Sequence, residues 1–367
     1  MSRQTDFSNL DFVRNFFQRF LPNSQVVALA ISLIVGSLLI YSLSGLLMPV
    51  FAAVILAYLL EGLVGKLEAR WLSRRPAVYV VFFAFLAMLG FILFVLVPMV
   101  SDQTVQLVQR IPEMVYSAQS QILRLPEMYP ELISQDRIRE IMFSIQQDLL
   151  KYGQNFISGS AQSFAGLLAA IIYLFLVPMM VFFFMKDKNM LIGWFAQFFP
   201  RDMTLTLHVW REVDLQIANY VRGKFLEVFI LWVASYMTFT LLDLNYAMLL
   251  AVLMGLQVVI PYVGATLVTF PVLGVAYVQW GMGGGNEFMY ILIAYSIIQA
   301  IDGVVLVPLL FSEAVNLHPI AIIVAILFFG GLWGFWGVFF AIPLATLVKA
   351  VLTAWPRAGQ GQIAEAV

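Results

Sequence analysis

Asp302 is the residue whose type and position most directly predict chemistry, because it lies well inside the long apolar segment 288–311. Gln299 stands about one helical turn before it. A carboxylate at membrane depth costs about 2.5–3.5 kcal/mol to insert, and it normally faces a partner group or water. Since no cation is visible in the neighbouring apolar segments, we expect a proton, an ion or a polar solute as its counterpart. A structural ion pair or hydrogen bond is the alternative.

The apolar zone 246–280 is interrupted near its middle by Ile-Pro-Tyr-Val-Gly at residues 260–264. Proline removes a backbone donor and clashes with the preceding turn, so a helix is expected to break at Pro261. Irregular backbone at membrane depth is tolerated only where it is buried in protein or lines a wet cavity. Pro261, Tyr262 and Gly264 are therefore candidates for lining a substrate or ion pathway.

A second apolar zone, residues 319–351, carries Gly330, Gly331 and Gly334 in its interior. Glycines at these positions permit a tight chain reversal or very close helix packing. Interrupted segments in two places are typical of transport sites, where broken helices expose carbonyl groups and dipole ends to the cargo. Ordinary proline kinks and small-residue packing are the alternative. Both zones therefore predict either re-entrant hairpins or kinked spans.

The composition places these candidates in a membrane protein. The 367 residues are 62% hydrophobic and only 11% charged, and mean hydropathy is +0.92. Continuous apolar runs favour helices over barrel strands, since a span must satisfy its own backbone polar groups. We therefore predict an all-α polytopic membrane protein with about eight helical membrane elements and with interrupted or re-entrant helices in its C-terminal half. The segments are residues 26–43, 46–63, 77–100, 164–185, 225–242, 246–280, 288–311 and 319–351.

Lysine and arginine near the span ends predict the topology, because these residues tend to stay in the cytoplasm. Basic residues precede the first span, follow the second and lie between the fourth and fifth, where Lys224 is one of them. The N-terminus is then cytoplasmic and the amphipathic segment 101–163 lies outside. The predicted parts are a three-helix membrane part (1–100), this helical segment (101–163), a transport part (164–355) and a cytoplasmic tail (356–367).

Several function classes have little support in the sequence. The chain has two histidines and no cysteine, so it offers no thiolate site, and we expect no metal, cofactor or catalytic residue. It contains no Walker A loop, His-Glu-x-x-His pair or Gly-x-Ser-x-Gly elbow, which argues against an enzyme and against transport driven by ATP within this chain. A net charge of -1 gives no basic field for nucleic acid.

Several motifs, taken in their order and spacing, resemble the AI-2E (autoinducer-2 exporter-like) transporter family, also called the PerM permeases. They are the Gln-Ile-Ala-Asn-Tyr-Val-Arg-Gly-Lys run at 216–224, Ile-Pro-Tyr-Val-Gly at 260–264, Gln-Ala-Ile-Asp at 299–302, Pro308, Leu-His-Pro at 317–319, Gly-Gly-Leu-Trp-Gly at 330–334, Gly337 and Pro343. The resemblance implies a multi-pass permease of a bacterial inner membrane. It also implies that Asp302 occupies the family's acidic position, as Asp rather than the commoner Glu.

The resemblance, together with the interrupted helices, predicts a secondary transporter. Family members have been connected with export of autoinducer-2 and with sodium/proton antiport, so the expected cargo is a small polar solute, a proton or a sodium ion. The alternative is a channel-like or scaffolding protein that forms homo-oligomers, or recruits partners, through the segment 101–163. In either case the lipid bilayer is the expected surrounding, and nucleic acid is not an expected partner.

Overall fold

The structure is a computed structural model that describes residues 24–122, 164–197, 204–261, 263–281, 286–311 and 317–354, with a few isolated residues between 140 and 151. Every regular element in these ranges is helical, which confirms the all-α fold. The helices are α1 (Ser24–Arg70), α2 (Arg74–Phe91), α3 (Val97–Ile122), α4 (Phe164–Lys186), α5 (Lys188–Ala196), α6 (Thr204–Leu241), α7 (Ala247–Leu256), α8 (Val263–Trp280), α9 (Glu287–Ile301), α10 (Val307–Phe311), α11 (Pro319–Phe339) and α12 (Ala341–Ala354).

Three short irregular turns join some of these helices. A π-helical turn, Ile92–Leu96, connects α2 to α3, and a second one, Asp302–Leu306, connects α9 to α10. A 3-10 turn, Gln257–Val259, extends α7. Turns of the π type occur mostly inside α-helices and often at functional sites, which draws attention to Asp302 at the start of the second one.

Membrane-spanning helices dominate the described part of the chain. Six of its helices are long and apolar enough to cross a membrane, or up to seven if α4 and α5, bent by 83° at Asp187, count as one broken span. Many large apolar side chains on them are exposed, such as Phe94 at 81% and Val304 at 75%. Lipid tails would cover such side chains. The predicted polytopic membrane protein is confirmed.

The first apolar region differs from its prediction. Two spans were expected, over residues 26–43 and 46–63, but α1 runs without a break from Ser24 to Arg70. Two residues, Ser44 and Gly45, stand between the two apolar runs. One glycine costs a helix only about 1 kcal/mol, and the leucines around it, at 43, 46 and 47, are strong helix formers. The expected break is therefore wrong.

The amphipathic segment 101–163 is described from its start to Ile122. α3 carries the helix from the third span through residue 101 to Ile122, with Pro112 inside it. Leu107 and Met114 pack against the core formed by α6 to α9, and Gln103 Oε1 accepts a hydrogen bond from the backbone N–H of Leu249 at 2.8 Å. That bond satisfies a free donor in the first turn of α7. The continuous part of this segment that is described, up to residue 122, thus packs on the same chain.

The chain forms two compact units. One comprises Met1–Ala52, Asp187–Tyr220 and Phe311–Val367, and the other comprises Ala53–Lys186 and Val221–Leu310. The second unit has two apolar cores. One of them gathers side chains of α6 to α9, including Leu231, Met254, Val272 and Ile291, and the other gathers α1, α2 and α4.

The zone 246–280 is a helical hairpin, which we call the first hairpin, residues 247–280. Its two open ends meet, since the Gln279 side chain accepts from the Asn245 N–H at 2.8 Å and donates to the Asp243 carbonyl at 2.7 Å. α7 and α8 also pack against one another. The chain reverses at Pro261, where Gly264 donates to the Ile260 carbonyl at 2.9 Å. Of the two possibilities that the sequence left open, the hairpin is the observed one.

The zone 319–351 is also a hairpin, the second hairpin, residues 319–354. Gly334 interrupts α11 with φ 58° and ψ −134°, a conformation that favours glycine. Beyond it, Gly337 comes so close to Phe329 that a Cβ atom would lie 1.8 Å from the Phe329 carbonyl oxygen. Residues eight apart in a straight helix are about 12 Å apart along its axis. The first arm, from Pro319 to Trp333, is therefore about 22 Å long, so α11 counts among the six helices above by its full length and is divided at Gly334 into two shorter arms.

Candidate functional site

The candidate site lies at the tip of the first hairpin, in the second unit. Three elements contribute side chains to it: α6, the tip residues 257–261 and 263–265, and the end of α9 with its π-helical turn. The tip exists because Pro261 stops α7 and because Gly264 allows the two arms to approach. A Cβ atom on Gly264 would lie 1.9 Å from the Gln257 carbonyl oxygen, so no larger residue fits without moving the backbone.

A buried ion pair on α6 faces this tip. Lys224 Nζ donates to Glu227 Oε2 at 2.8 Å and to the Val258 carbonyl at 2.8 Å. The two side chains are 7% and 1% exposed, respectively. Val258 belongs to the last turn before the break, where carbonyl groups lose their helical donors. Pro261, three residues later, has no N–H to donate to the Val258 carbonyl. The Lys224 ammonium group donates to that carbonyl instead.

Asp302 completes the cluster. Its carboxyl group lies close enough to Lys224 and Glu227 to interact electrostatically with both. Its Oδ1 atom is buried and has no hydrogen-bond partner among the described residues. One ammonium group and two carboxyl groups thus lie near each other beside the Val258 carbonyl, which accepts from Lys224. A hydrogen bond between two carboxyl groups requires a proton on one of them.

The structure corrects the expectation that Asp302 has no cation near it. Lys224 was assigned to the basic residues that flank the fifth span and set its topology, whereas its side chain is buried beside Glu227. α6 begins at Thr204, well before the expected start of the span at residue 225, so Lys224 lies within a long helix. Glu227 was not predicted at all. The signal for both residues was their three-residue spacing, which puts Lys and Glu on one helix face.

A second polar network joins the hairpin to α9. The Gln257 and Gln299 side-chain amides pair reciprocally at 3.1 Å. Gln299 also donates to the Tyr295 hydroxyl at 2.7 Å, and that hydroxyl lies 2.5 Å from Thr269 Oγ1. Thr269 donates in turn to the Ala265 carbonyl at 2.8 Å. Gln257 precedes Val258, so this neutral network holds the backbone that presents the carbonyl to Lys224.

The predicted site residues fall into two groups. Asp302, Gln299, Pro261 and Gly264 lie in the second unit, at the tip of the first hairpin or on the helix packed against it. Tyr262 lies outside the described residues. The other group, Gly330, Gly331 and Gly334, surrounds the reversal of the second hairpin, in the first unit. Gly330 packs closely there, since a Cβ atom on it would lie 2.8 Å from Val338 Cγ2.

Metal-binding side chains do not cluster in the described ranges, which hold no group of three or more His, Cys, Asp or Glu residues able to bind a metal ion. The cluster at the hairpin tip instead offers two carboxyl groups, one carbonyl oxygen and one fixed positive charge. Such a set can hold a proton between its carboxyl groups or bind a small cation through oxygen atoms.

Comparison with known proteins identifies the family. A family model described as "AI-2E family transporter" matches residues 27–357. The chain belongs to the AI-2E transporter family. It is 44% identical over 356 residues to "Putative permease PerM" of Escherichia coli (strain K12), covering 97% of this chain and 99% of that protein. It is 25% identical to "Putative transport protein YueF" of Bacillus subtilis (strain 168), covering 88% of each chain.

A more distant relative is the "AI-2 transport protein TqsA" of Escherichia coli (strain K12), which is 24% identical over 179 residues, 49% of this chain and 51% of that protein. The family match, the bacterial permease relatives and the apolar helices together establish this AI-2E family member as a multi-pass inner-membrane protein. Its class is that of a membrane transporter, surrounded by the lipid bilayer and acting on a small solute.

Proposed function

We propose that this AI-2E family member is an ion-coupled secondary transporter whose coupling ion binds at the tip of the first hairpin. The observation that carries the proposal is the buried pair of Lys224 and Glu227 against the Val258 carbonyl, with the half-buried Asp302 beside it. Ionisable groups inside a membrane protein are costly, and they mark ion pathways and proton relays. The break at Pro261 leaves the Val258 carbonyl without a helical donor, and such carbonyl groups contribute to ion sites in transporters.

The coupling ion in this proposal is a proton or a monovalent cation such as sodium. A proton would be shared by the Glu227 and Asp302 carboxyl groups, which interact electrostatically with each other. A small cation fits the same oxygen atoms together with the Val258 carbonyl. The proton and the sodium ion would therefore compete for the same binding site. Such competition is a requirement for the exchange of one ion for the other. We assign no catalytic reaction to the chain.

Two cargoes are compatible with this site. One is the monovalent cation itself, exchanged for a proton in antiport. The other is a small polar solute that is exported at the expense of the ion gradient, with autoinducer-2 as the first candidate, because the relative TqsA is named an AI-2 transport protein. In both cases the tip of the first hairpin would line the pathway.

The experiment that tests the proposal is a flux assay on the purified chain in proteoliposomes. We expect saturable flux with counterflow, and a dependence on an imposed proton or sodium gradient, for sodium or for autoinducer-2. Flux that responds to neither gradient would remove the coupling ion from the proposal. The absence of any saturable flux for both cargoes would remove transport through this site.

A channel-like or scaffolding role is the competing function, and it rests on the segment 101–163. We place this segment outside the inner membrane and propose that its amphipathic helices contribute to a homo-oligomer. Of the described half-buried residues, Leu107 and Met114 pack on the same chain, which favours a supporting role for this first part. Deletion of residues 123–163 followed by mass measurement in detergent distinguishes the two. Lost assembly with unchanged flux would favour the scaffolding role for the segment.

A further inference from the structure

Lys224 puts a fixed positive charge inside a site that is proposed to bind a positive ion, and the binding of that ion does not explain why the lysine is there. Its ammonium group donates to Glu227 at 2.8 Å and to the Val258 carbonyl at 2.8 Å, and Asp302 faces it with a buried oxygen that has no hydrogen-bond partner in the described ranges. A buried lysine is rare unless it is paired. Here one positive group stands against two negative ones, so the ionised cluster is one positive charge short of neutrality.

We propose that Lys224 is the residue that sets the valence of the ion site: by permanently cancelling one of its two carboxylates, it leaves room for one monovalent positive charge and excludes divalent cations. This inference rests on the proposed function, since it assumes that a coupling ion binds between Glu227 and Asp302. It assigns to the lysine a specificity role, in which the ammonium group stays in place and the proton or cation comes and goes.

The chemistry of the site supports this assignment. Two carboxylates and a carbonyl oxygen at a break in a helix form the kind of oxygen-rich set that calcium and magnesium prefer. Among the described residues, the charged groups of the cluster are Lys224, Glu227 and Asp302, while the adjoining Gln257, Gln299 and Tyr295 are neutral. The lysine is therefore the group that keeps the total charge at the level of a monovalent ion site.

The test is binding of radioactive sodium to the purified full-length chain in detergent, with magnesium and calcium as competitors. We expect Lys224→Gln, which keeps a donor for the Val258 carbonyl, to bind sodium at least tenfold more tightly than the original chain. We also expect magnesium and calcium to displace sodium from this variant and not from the original chain. Lys224→Arg keeps the charge and should retain the original affinity and the original insensitivity to divalent ions.

Two further variants separate a charge effect from a structural one. Lys224→Gln combined with Glu227→Gln restores the total charge but removes one of the carboxylates that bind the ion, so divalent competition should disappear and sodium affinity should fall below that of Lys224→Gln alone. The absence of divalent competition can be measured even if the single variant does not fold, because the double variant leaves no unpaired carboxylate at Glu227. Arg222→Gln removes an exposed cation two residues away on the same helix, and it should change sodium affinity by less than twofold.

Each outcome is decisive. If Lys224→Gln binds sodium as weakly as the original chain, or if magnesium and calcium still displace sodium from the double variant, Lys224 does not set the valence. The proposed function stands in that case, provided that Asp302→Asn abolishes sodium binding. If neither the original chain nor any variant binds sodium, the cation site of the proposed function fails, and the role of Lys224 fails with it.

Discussion

Gly264→Ala tests whether the tip of the first hairpin is as tightly closed as its geometry indicates. The added Cβ atom would lie 1.9 Å from the Gln257 carbonyl oxygen and 2.9 Å from Gln257 Cα. These are backbone atoms, so no side-chain rotation relieves the contact. The two arms must separate by about 1 Å to reach the shortest distance that real Cβ atoms tolerate, which is 3.0 Å.

The cost follows from what that separation disturbs. Overpacking of this kind costs about 1–3 kcal/mol, and a stretched Gly264 to Ile260 hydrogen bond adds about 1 kcal/mol. We therefore expect a loss of about 2–4 kcal/mol, and an apparent Tm in detergent that is lower by about 5 °C or more. Since Val258 neighbours Gln257, its carbonyl would move away from Lys224, and transport should fall together with stability.

The assay is thermal unfolding of the purified chain followed by tryptophan fluorescence, together with flux in proteoliposomes. Gly274→Ala is the matched control, because Gly274 lies on the same helix and no atom lies within 4 Å of its Cβ position. Alanine should leave Tm unchanged or raise it slightly there. A Gly264→Ala variant with the Tm and flux of the original chain would refute the closed tip.

Three further predictions concern the other contacts. Gly337→Ala should lower Tm by a similar amount, because its Cβ atom would lie 1.8 Å from the Phe329 carbonyl oxygen. Gly331→Ala is the control and should leave Tm unchanged, because its Cβ atom would lie in open space. Equal Tm values for the two variants would contradict the second hairpin. Tyr295→Phe removes the hydroxyl between Gln299 and Thr269 and should cost about 0.5–1.5 kcal/mol, while the exposed Tyr290→Phe on the same helix should cost nothing measurable in the same unfolding assay. Gln103→Ala removes the acceptor for the Leu249 N–H and should lower the free energy of unfolding by about 0.5–2 kcal/mol. Gln106→Ala is the control and should leave that free energy unchanged. If hydrogen exchange at the Leu249 amide is no faster in Gln103→Ala, the hydrogen bond at the start of α7 is contradicted.

Composition was sufficient for the fold class, because a chain this apolar satisfies its backbone in lipid only as helices. The interruption at Pro261 was also predictable, since proline acts on its own helix. The reversal at Gly334 was not decided by the sequence. A glycine permits φ 58° there, but whether the chain turns back depends on the packing of the arms on one another, which is a tertiary property.

The site was predictable only in part, because several of its contacts join residues that are far apart in the sequence. Asp302 and Gln299 were found because a polar residue in an apolar segment is conspicuous by itself. Lys224 was assigned to the membrane surface, since a span was expected to begin after it, and the helix that carries it in fact begins at Thr204. Its partners Val258 and Asp302 are 34 and 78 residues away along the chain, and no local pattern connects residues at such separations.

Proton flux driven by a sodium gradient, compared between the original chain and Asp302→Asn in proteoliposomes, tests the central claim most directly. Asp243→Asn is the matched control, because Asp243 lies at a helix end with φ 53°, a conformation that asparagine also tolerates. Ion-coupled transport through the cluster predicts that an outward sodium gradient drives proton uptake in the original chain and in Asp243→Asn. The same account predicts a rate at least tenfold lower in Asp302→Asn. Proton flux in Asp302→Asn at the original rate would contradict the account.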